Sequence, residues 1–217
     1  MAGKLDIVQR HFDKDAHRFD TIYETEKPLH HKVMDRFRQV VVQRFNLIRN
    51  LAPQNGPWTV LDAGCGPGRY SMTMASEGAA RVVGVDVSEE MIRLARSEAE
   101  AAGLADRCEF HVAAFLEFRS DEKFDVAIAT GYFDYLDEPL PHLQKMKAMC
   151  KGRIFASFPK RWDYRVPVRK LRFVYERGFV RFYAHHEVRD LFDRAGFARD
   201  RVSLIDLGRD WIAVARP

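Results

Sequence analysis

The sequence predicts an α/β fold: a mostly parallel, doubly wound sheet of seven strands with helices on both faces and an N-terminal helical lid. The first observation behind this prediction is that short β-branched runs alternate with helical segments after residue 58. Strands are expected at 59–63, 81–86, 108–113, 124–130, 153–158, 202–207 and 211–215. The second observation is that no helix separates the last two runs, so one of these strands is expected to be antiparallel.

Helices are expected between most of these strands. Ser88 is placed to cap the helix that follows the second strand, and Gly103 is placed to end it. The apolar face of this helix would consist of Met91, Leu94, Ala95, Ala99 and Ala102. Two further helices are expected near 140–149 and 186–195.

The region before the first strand has a helical pattern of its own. Residues 28–51 place apolar side chains at helical spacing, which predicts an amphipathic helix preceded by a shorter one. The Pro- and Gly-containing loop 52–57 then interrupts regular structure. We therefore expect a lid at residues 1–51 and one α/β domain at 52–217.

Composition limits the class of protein. The chain has 217 residues, of which 47% are hydrophobic and 30% charged, as in ordinary globular domains. It has neither an apolar run of about 18 residues nor an apolar signal sequence, so a cytoplasmic protein without a membrane span is expected. Cys65, Cys108 and Cys150 are too far apart for a disulfide framework or a CxxC metal site, so no metal is expected.

The most specific motif joins the first strand to a glycine-rich turn. The residues from Val60 to Arg69 read VLDAGCGPGR, a buried strand followed by three glycines and a helix. Glycine allows a sharp turn and lets a ligand lie against the backbone amides. About twenty residues later the second strand ends in Asp86, where ribose hydroxyls are held in this architecture.

The order D-x-G-x-G-x-G, followed by an acid after the second strand, resembles the class I, Rossmann-like S-adenosylmethionine-dependent methyltransferases over about residues 58–217. The resemblance implies that S-adenosylmethionine is bound and leaves as S-adenosylhomocysteine. The implied cofactor-binding residues are Asp62, Gly64, Cys65, Gly66, Gly68, Asp86, Val87, Met91, Ala114, Phe115 and Thr130. Of these, Val87 and Met91 would flank the adenine. Asp62 would meet the cationic amino group of the cofactor, or alternatively would only cap the turn.

The sequence departs from this family after the third strand. The family often has an aspartate there that contacts the adenine, whereas this chain has Ala114. The Phe115 amide is an alternative donor to the ring, and Glu117 is a further substitute. Phe115 is equally explained as a core aromatic residue.

Candidate catalytic residues follow the fourth strand, in the segment 129–137. The implied fold places this segment beside the sulfonium, and it lacks the Asn/Asp-Pro-Pro-Tyr motif of amino-methyltransferases. Its candidates as general base are Tyr132, Asp134 and Tyr135. Tyr23 from the lid and His185 from the start of a later helix are further candidates, although His185 is also explained as a helix start.

The head has a partial likeness to a narrower family. The pattern HFD with Phe19 and Tyr23 loosely resembles the N-terminal region of magnesium-protoporphyrin O-methyltransferases, in which an aromatic residue covers the active site. That family has a histidine at the position of Tyr135. We therefore take only a lid from this likeness.

Positive charge is concentrated late in the chain. The formal net charge is +4, and residues 151–181 contain ten Lys or Arg against Asp163 and Glu176. A basic insertion at about 159–183 would suit a small anionic aromatic acceptor methylated on oxygen, or would be only a solvated face. The alternatives are RNA methylation through this stretch and a noncatalytic cofactor-binding subunit. The sequence leaves the acceptor and the oligomeric state open.

Overall fold

The structure, a computed structural model, describes residues 42–53, 56–161 and 180–217. Seven strands form one sheet in the order β3-β2-β1-β4-β5-β7-β6. The strands are β1 (Thr59–Ala63), β2 (Arg81–Asp86), β3 (Cys108–Val112), β4 (Phe124–Ala129), β5 (Cys150–Pro159), β6 (Val202–Asp206) and β7 (Asp210–Ala215). The pairs among β1 to β5 are parallel, whereas β7 is antiparallel to β5 and β6. The predicted seven-stranded, mostly parallel α/β sheet is confirmed.

Five helical segments cover the described part of the sheet. They are α1 (42–51), α2 (Arg69–Ser76), α3 (Glu89–Ala101), α4 (Pro139–Met149) and α5 (His185–Arg194). Short 3-10 turns lie at Phe133–Tyr135 and Arg199–Arg201. The predicted cap of α3 is confirmed, because the Ser88 hydroxyl accepts a hydrogen bond of 3.1 Å from the Met91 amide.

Alternating side chains of the strands build a core on each face of the sheet. Leu61 and Ala63 belong to the larger core, which also contains the buried residues of α4 and α5. Val60 belongs to the opposite core, which contains Ile48 of α1 and Met74 of α2. Both faces are therefore covered, as a parallel sheet requires.

The helix α1 is part of this packing. Ile48 is fully buried, and its core also contains Trp58 from the segment before β1. Residues 42–51 therefore pack as a layer of the α/β domain, although the sequence assigns them to a separate lid. Residues 1–41, which carry Tyr23 and the rest of the predicted lid, lie outside the described residues, as do 162–179 of the basic insertion.

The start of the fifth strand differs from the prediction. β5 begins at Cys150, directly after α4, and not at residue 153. A register shift between Phe124 and Val126 accommodates this extension. A Cβ atom at Gly152 would lie 2.2 Å from the Asp125 carbonyl oxygen, so only glycine fits beside β4 here. In the described ranges, no helix has the length and apolar character that crossing a membrane requires.

Candidate cofactor and acceptor site

The strand order places a crevice at the carboxyl ends of β1 and β4. The chain proceeds from β1 outward to β2 and β3, and then returns to the other side of β1 with β4. Ligands of open α/β sheets bind at such a reversal, because the loops leaving the two strands diverge. The glycine turn and segment 129–137 both start at this edge.

The glycine turn is fixed by hydrogen bonds to the neighbouring strand. The amides of Gly64 and Cys65 both donate to the Val85 carbonyl, at 2.8 and 3.2 Å. Gly64, Gly66 and Gly68 have φ angles of 68°, 52° and 77°, which side chains disfavour. The motif therefore forms a tight turn that exposes backbone at the crevice and leads into α2.

Asp86 holds the same turn from the end of β2. One carboxylate oxygen accepts from the Gly66 amide at 2.9 Å, and the other accepts from the Ser88 amide at 3.0 Å. A carboxylate offers about four acceptor positions, so one group can both hold the turn and accept from ribose hydroxyls. The two sequence signals, twenty residues apart, meet at one point of the structure.

The Cys65 side chain points away from the turn and into a core. It is 7% exposed and packs in a cluster that includes Phe110. A Cβ atom at Gly84 would lie 2.6 Å from Phe110 and 2.9 Å from the Cys65 sulfur. Gly84 therefore leaves room for the turn. Sequence reasoning missed this role, although a glycine within a valine-rich strand is a recognisable signal of close approach.

Asp62 is buried beneath the turn. It is 1% exposed, and one of its carboxylate oxygens accepts from the Ser71 hydroxyl at 2.8 Å. The pKa of Asp62 is raised to about 7, mainly by burial and to a smaller degree by the charge of Asp86, while the hydrogen bonds from Ser71 lower it. A cation bound at the turn would offset this unfavourable burial of a carboxylate. The binding role predicted for Asp62 stays a prediction.

The raised pKa of Asp62 leads to a prediction about pH and stability. The unfolded carboxyl titrates near 4, whereas the folded one keeps its proton up to about pH 7. The contribution of Asp62 to the unfolding free energy therefore falls as pH rises from about 4 to about 7. We expect Asp62→Asn to make the ligand-free protein more stable than the parent at pH 8, by an order of a few kcal/mol.

Urea unfolding of parent and variant between about pH 4 and pH 8 measures this difference. We expect the two unfolding free energies to converge toward pH 4, because both side chains are then neutral. A difference that stays constant over this range would contradict the assigned titration of Asp62.

The two residues predicted to flank the adenine lie between the end of β2 and the first turn of α3. Val87 follows Asp86 directly and is half-buried, and Met91 is 1% exposed in the first turn of α3. Their contact with adenine stays a prediction.

The segment after β3 is brought beside the end of β2. The Ala113 amide donates to the Asp86 carbonyl at 2.8 Å, so Ala114 and Phe115 follow close to the crevice. Phe115 is 3% exposed, and its ring meets the Tyr132 ring edge-on with centroids 6.0 Å apart. Phe115 is thus a core residue that packs next to Tyr132. A contact between Phe115 and adenine stays a prediction.

The segment after β4 lines the other side of the crevice. Thr130 is half-buried, and the Gly131 amide donates to the Ser157 hydroxyl at 2.7 Å. Asp134 is 6% exposed and Tyr135 is half-buried. Three predicted residues, Thr130, Asp134 and Tyr135, are therefore brought to the carboxyl edge of the sheet.

Tyr132 has a partner that sequence reasoning missed. The Tyr132 hydroxyl lies 2.6 Å from Nδ1 of His142 on α4. Burial, and to a lesser degree the charge of Asp86, raises the pKa of Tyr132 well above its usual value. The hydroxyl is therefore protonated at neutral pH, and Tyr132 is a poor general base. A lone histidine within a helix gives no sequence signal for this pairing.

A buried ion pair joins α1 to the start of β7. The Arg44 guanidinium donates to Asp210 at the start of β7, and both side chains are largely buried. Burial alone would lower the pKa of Arg44, but the charge and hydrogen bond of Asp210, together with smaller contributions from Tyr70 and Asp134, outweigh burial and raise the pKa. Phe45 of the same helix stacks on Tyr70 of α2 at 4.0 Å. The helix α1 thus lies over this edge of the sheet.

The structure does not bring His185 to the glycine turn. His185 is exposed at the first position of α5, and its ring lies 5.1 Å from that of Trp211 on β7. Since β7 is three strands from β1, roughly 14 Å separates the two at normal strand spacing. Tyr23 lies outside the described residues. Within the described ranges, no group of His, Cys, Asp and Glu is arranged to hold a metal ion.

Similarity to known proteins agrees with this geometry. Residues 55–162 match the family model of a methyltransferase domain. A ubiquinone biosynthesis O-methyltransferase of Actinobacillus pleuropneumoniae is 36% identical over 104 residues, which are 45% of this chain and 44% of the relative. The enzyme of the same name from Ralstonia nicotianae is 30% identical over 148 residues, 67% of this chain and 58% of the relative. The chain thus spans about half the length of these curated relatives.

A solved structure extends the likeness to nearly the whole chain. The magnesium protoporphyrin IX methyltransferase of Synechocystis, crystallised with bound S-adenosylhomocysteine, superimposes with a TM-score of 0.79 at 21% identity. The match covers 99% of this chain and 100% of that one. At this identity the likeness establishes the fold. The family match and the fold together show that this chain belongs, through residues 55–162, to the class I, Rossmann-like methyltransferases.

Proposed function

We propose that the protein transfers a methyl group from S-adenosylmethionine to a small-molecule acceptor. The observation that carries the proposal is the bond from the Gly66 amide to the Asp86 carboxylate, which unites the glycine turn and the ribose-binding acid at the sheet crevice. Curated relatives named as O-methyltransferases support the reaction class. Calorimetric titration with S-adenosylhomocysteine is the direct test, and absence of binding to the folded parent would refute the proposal.

The described residues fit this cofactor. The three glycines leave backbone exposed at the crevice. Asp86 can accept hydrogen bonds from ribose hydroxyls in addition to the bond from the Gly66 amide. Asp62 is a buried carboxylate, and a nearby cationic amino group would stabilise its charged form. S-adenosylmethionine supplies an activated methyl group on a positively charged sulfur. The protein then has to hold the acceptor in line with that methyl group and exclude water. Positioning therefore carries most of the proposed catalysis, and the residues at both sides of the crevice supply it.

For the acceptor we propose a small aromatic or polycyclic molecule with a hydroxyl or carboxyl group, methylated on oxygen. Phe133, Phe158 and Tyr183 form a buried aromatic cluster beneath this edge of the sheet, with ring centroids 4.8 and 5.1 Å apart. The half-buried Tyr135 beside this cluster would supply flat surface to the acceptor. Positive charge would come from the later residues of the basic insertion, because Lys160 and Arg161 at its start are already paired with Asp206 and Glu187.

The role of the insertion is tested by neutralising Arg165, Arg169 and Arg172 together with glutamine. We expect the KM for an acidic aromatic acceptor to rise while the Kd for S-adenosylhomocysteine stays nearly unchanged, because these residues lie outside the cofactor motifs. A turnover screen against phenols and carboxylic acids first identifies a usable acceptor.

A matched control replaces the exposed Arg93, Arg199 and Arg216 with glutamine, which removes the same charge elsewhere. An equal rise in KM for both triple variants would contradict a specific role of the insertion. Methylation of tRNA or rRNA alone, with affinity falling steeply with salt, would instead identify the basic stretch as a nucleic-acid surface. Cofactor binding without turnover of any acceptor would support a noncatalytic subunit.

A further inference from the structure

The Tyr132 ring packs directly on the glycine turn. A Cβ atom at Gly64 would lie 2.4 Å from Cδ2 of Tyr132 and 3.2 Å from its Cγ. The charge of Asp86 also acts on the Tyr132 hydroxyl, so the ring lies near both parts of the proposed cofactor site. Tyr132 therefore borders the crevice at the turn, on the side of α4.

His142 fixes the orientation of this ring. The oxygen of the Tyr132 hydroxyl and Nδ1 of His142 are 2.6 Å apart. Burial lowers the pKa of His142 to about 4, and the positive charge of Lys145 acts in the same direction. The imidazole is thus neutral at neutral pH, and in the tautomer with its proton on Nε2 the Nδ1 atom can accept from the tyrosine hydroxyl.

A third ring completes the arrangement. Phe115 stacks on His142 with centroids 6.3 Å apart and an interplanar angle of 20°, and it meets Tyr132 edge-on. The Lys145 amine lies 5.4 Å from the Phe115 centroid and donates to backbone carbonyls of the segment after β3. The three rings form a continuous aromatic wall (Phe115, Tyr132 and His142) that joins the glycine turn, α4 and the segment after β3.

We propose that Tyr132 is a cofactor-contacting residue and that His142 is its positioning residue. In this arrangement the aromatic wall bounds the cofactor site on the α4 side, and the hydrogen bond to His142 holds the Tyr132 ring in place against Gly64. A tyrosine rotamer that was free to rotate would have to be ordered each time cofactor binds, which costs affinity. The inference rests on the proposed cofactor site and replaces the general-base role that the sequence suggests for Tyr132.

The test is a double-mutant cycle read out by the Kd for S-adenosylhomocysteine. We expect Tyr132→Phe and His142→Leu each to weaken binding about three- to tenfold, the range of one hydrogen bond. Because both changes remove the same bond, the double variant should bind about as well as either single variant. His142→Asn should restore most of the affinity, since its amide oxygen can accept in place of Nδ1.

Thermal unfolding of each variant separates folding from binding. Parent-like affinity of folded Tyr132→Phe and His142→Leu, or losses that multiply in the double variant, would overturn the inference. If His142→Leu does not fold, Tyr132→Phe and His142→Asn still decide the question, because only the first should lose affinity. Failure of the parent itself to bind S-adenosylhomocysteine would instead refute the proposed function on which the inference rests.

Discussion

Replacement of Asp86 by alanine should abolish measurable binding of S-adenosylhomocysteine. The carboxylate accepts from the Gly66 and Ser88 amides, and the proposed cofactor adds its ribose hydroxyls. Two ribose hydrogen bonds left unpaired cost roughly 2 to 5 kcal/mol, which is about thirtyfold in affinity or more. Loss of the bond to Gly66 also removes the group that holds the turn in place. Calorimetric titration of parent and variant measures the effect.

Two further variants separate the roles of Asp86. Asp86→Asn keeps one acceptor oxygen and the side-chain volume, so we expect binding weaker than that of the parent but stronger than that of Asp86→Ala. Asp106→Ala removes a carboxylate from an exposed turn after α3 and should bind like the parent. Equal affinity of Asp86→Ala and the parent would refute the ribose assignment.

The sheet could be predicted from local patterns alone because its strands are short apolar runs between glycines and amphipathic helices. The cap at Ser88 and the antiparallel final pair follow from the same local rules. The start of β5 could not be predicted, since it depends on how Gly152 fits against the Asp125 carbonyl of another strand. The register shift between Phe124 and Val126 likewise arises from the contact of β4 with β5.

The cofactor side of the site was also predictable, since it consists of backbone turns and strand ends. Motif spacing fixes where Gly66 and Asp86 lie along the chain, and the parallel pairing of β1 with β2 then brings them together. The side-chain pairs were not predictable. Tyr132 and His142 belong to different elements, and Arg44 and Asp210 are 166 residues apart.

The position of α1 links the head of the chain to the proposed acceptor edge. Ile48 anchors the helix in one core, while Arg44 reaches Asp210 at the start of β7. The charge of Asp134, in the segment that follows β4, acts on the same guanidinium. A change in the packing of α1 would therefore reach the residues beside the proposed acceptor. Residues 42–51 of the predicted lid pack as part of the α/β domain, and a lid formed by the residues before them stays a prediction.

Replacing Arg44 by methionine should lower the free energy of unfolding by about 3 to 5 kcal/mol, because it leaves the buried Asp210 carboxylate without its main partner. Urea unfolding at neutral pH measures this change. Arg49→Met, on the same helix, removes a more exposed ion pair with Glu77 and should cost about 1 kcal/mol or less. Adding Asp210→Asn to Arg44→Met removes the uncompensated charge, so the double variant should regain much of the lost stability. Equal, small effects of Arg44→Met and Arg49→Met would contradict the assignment of Arg44 and Asp210 as the buried ion pair that fixes α1 to the sheet.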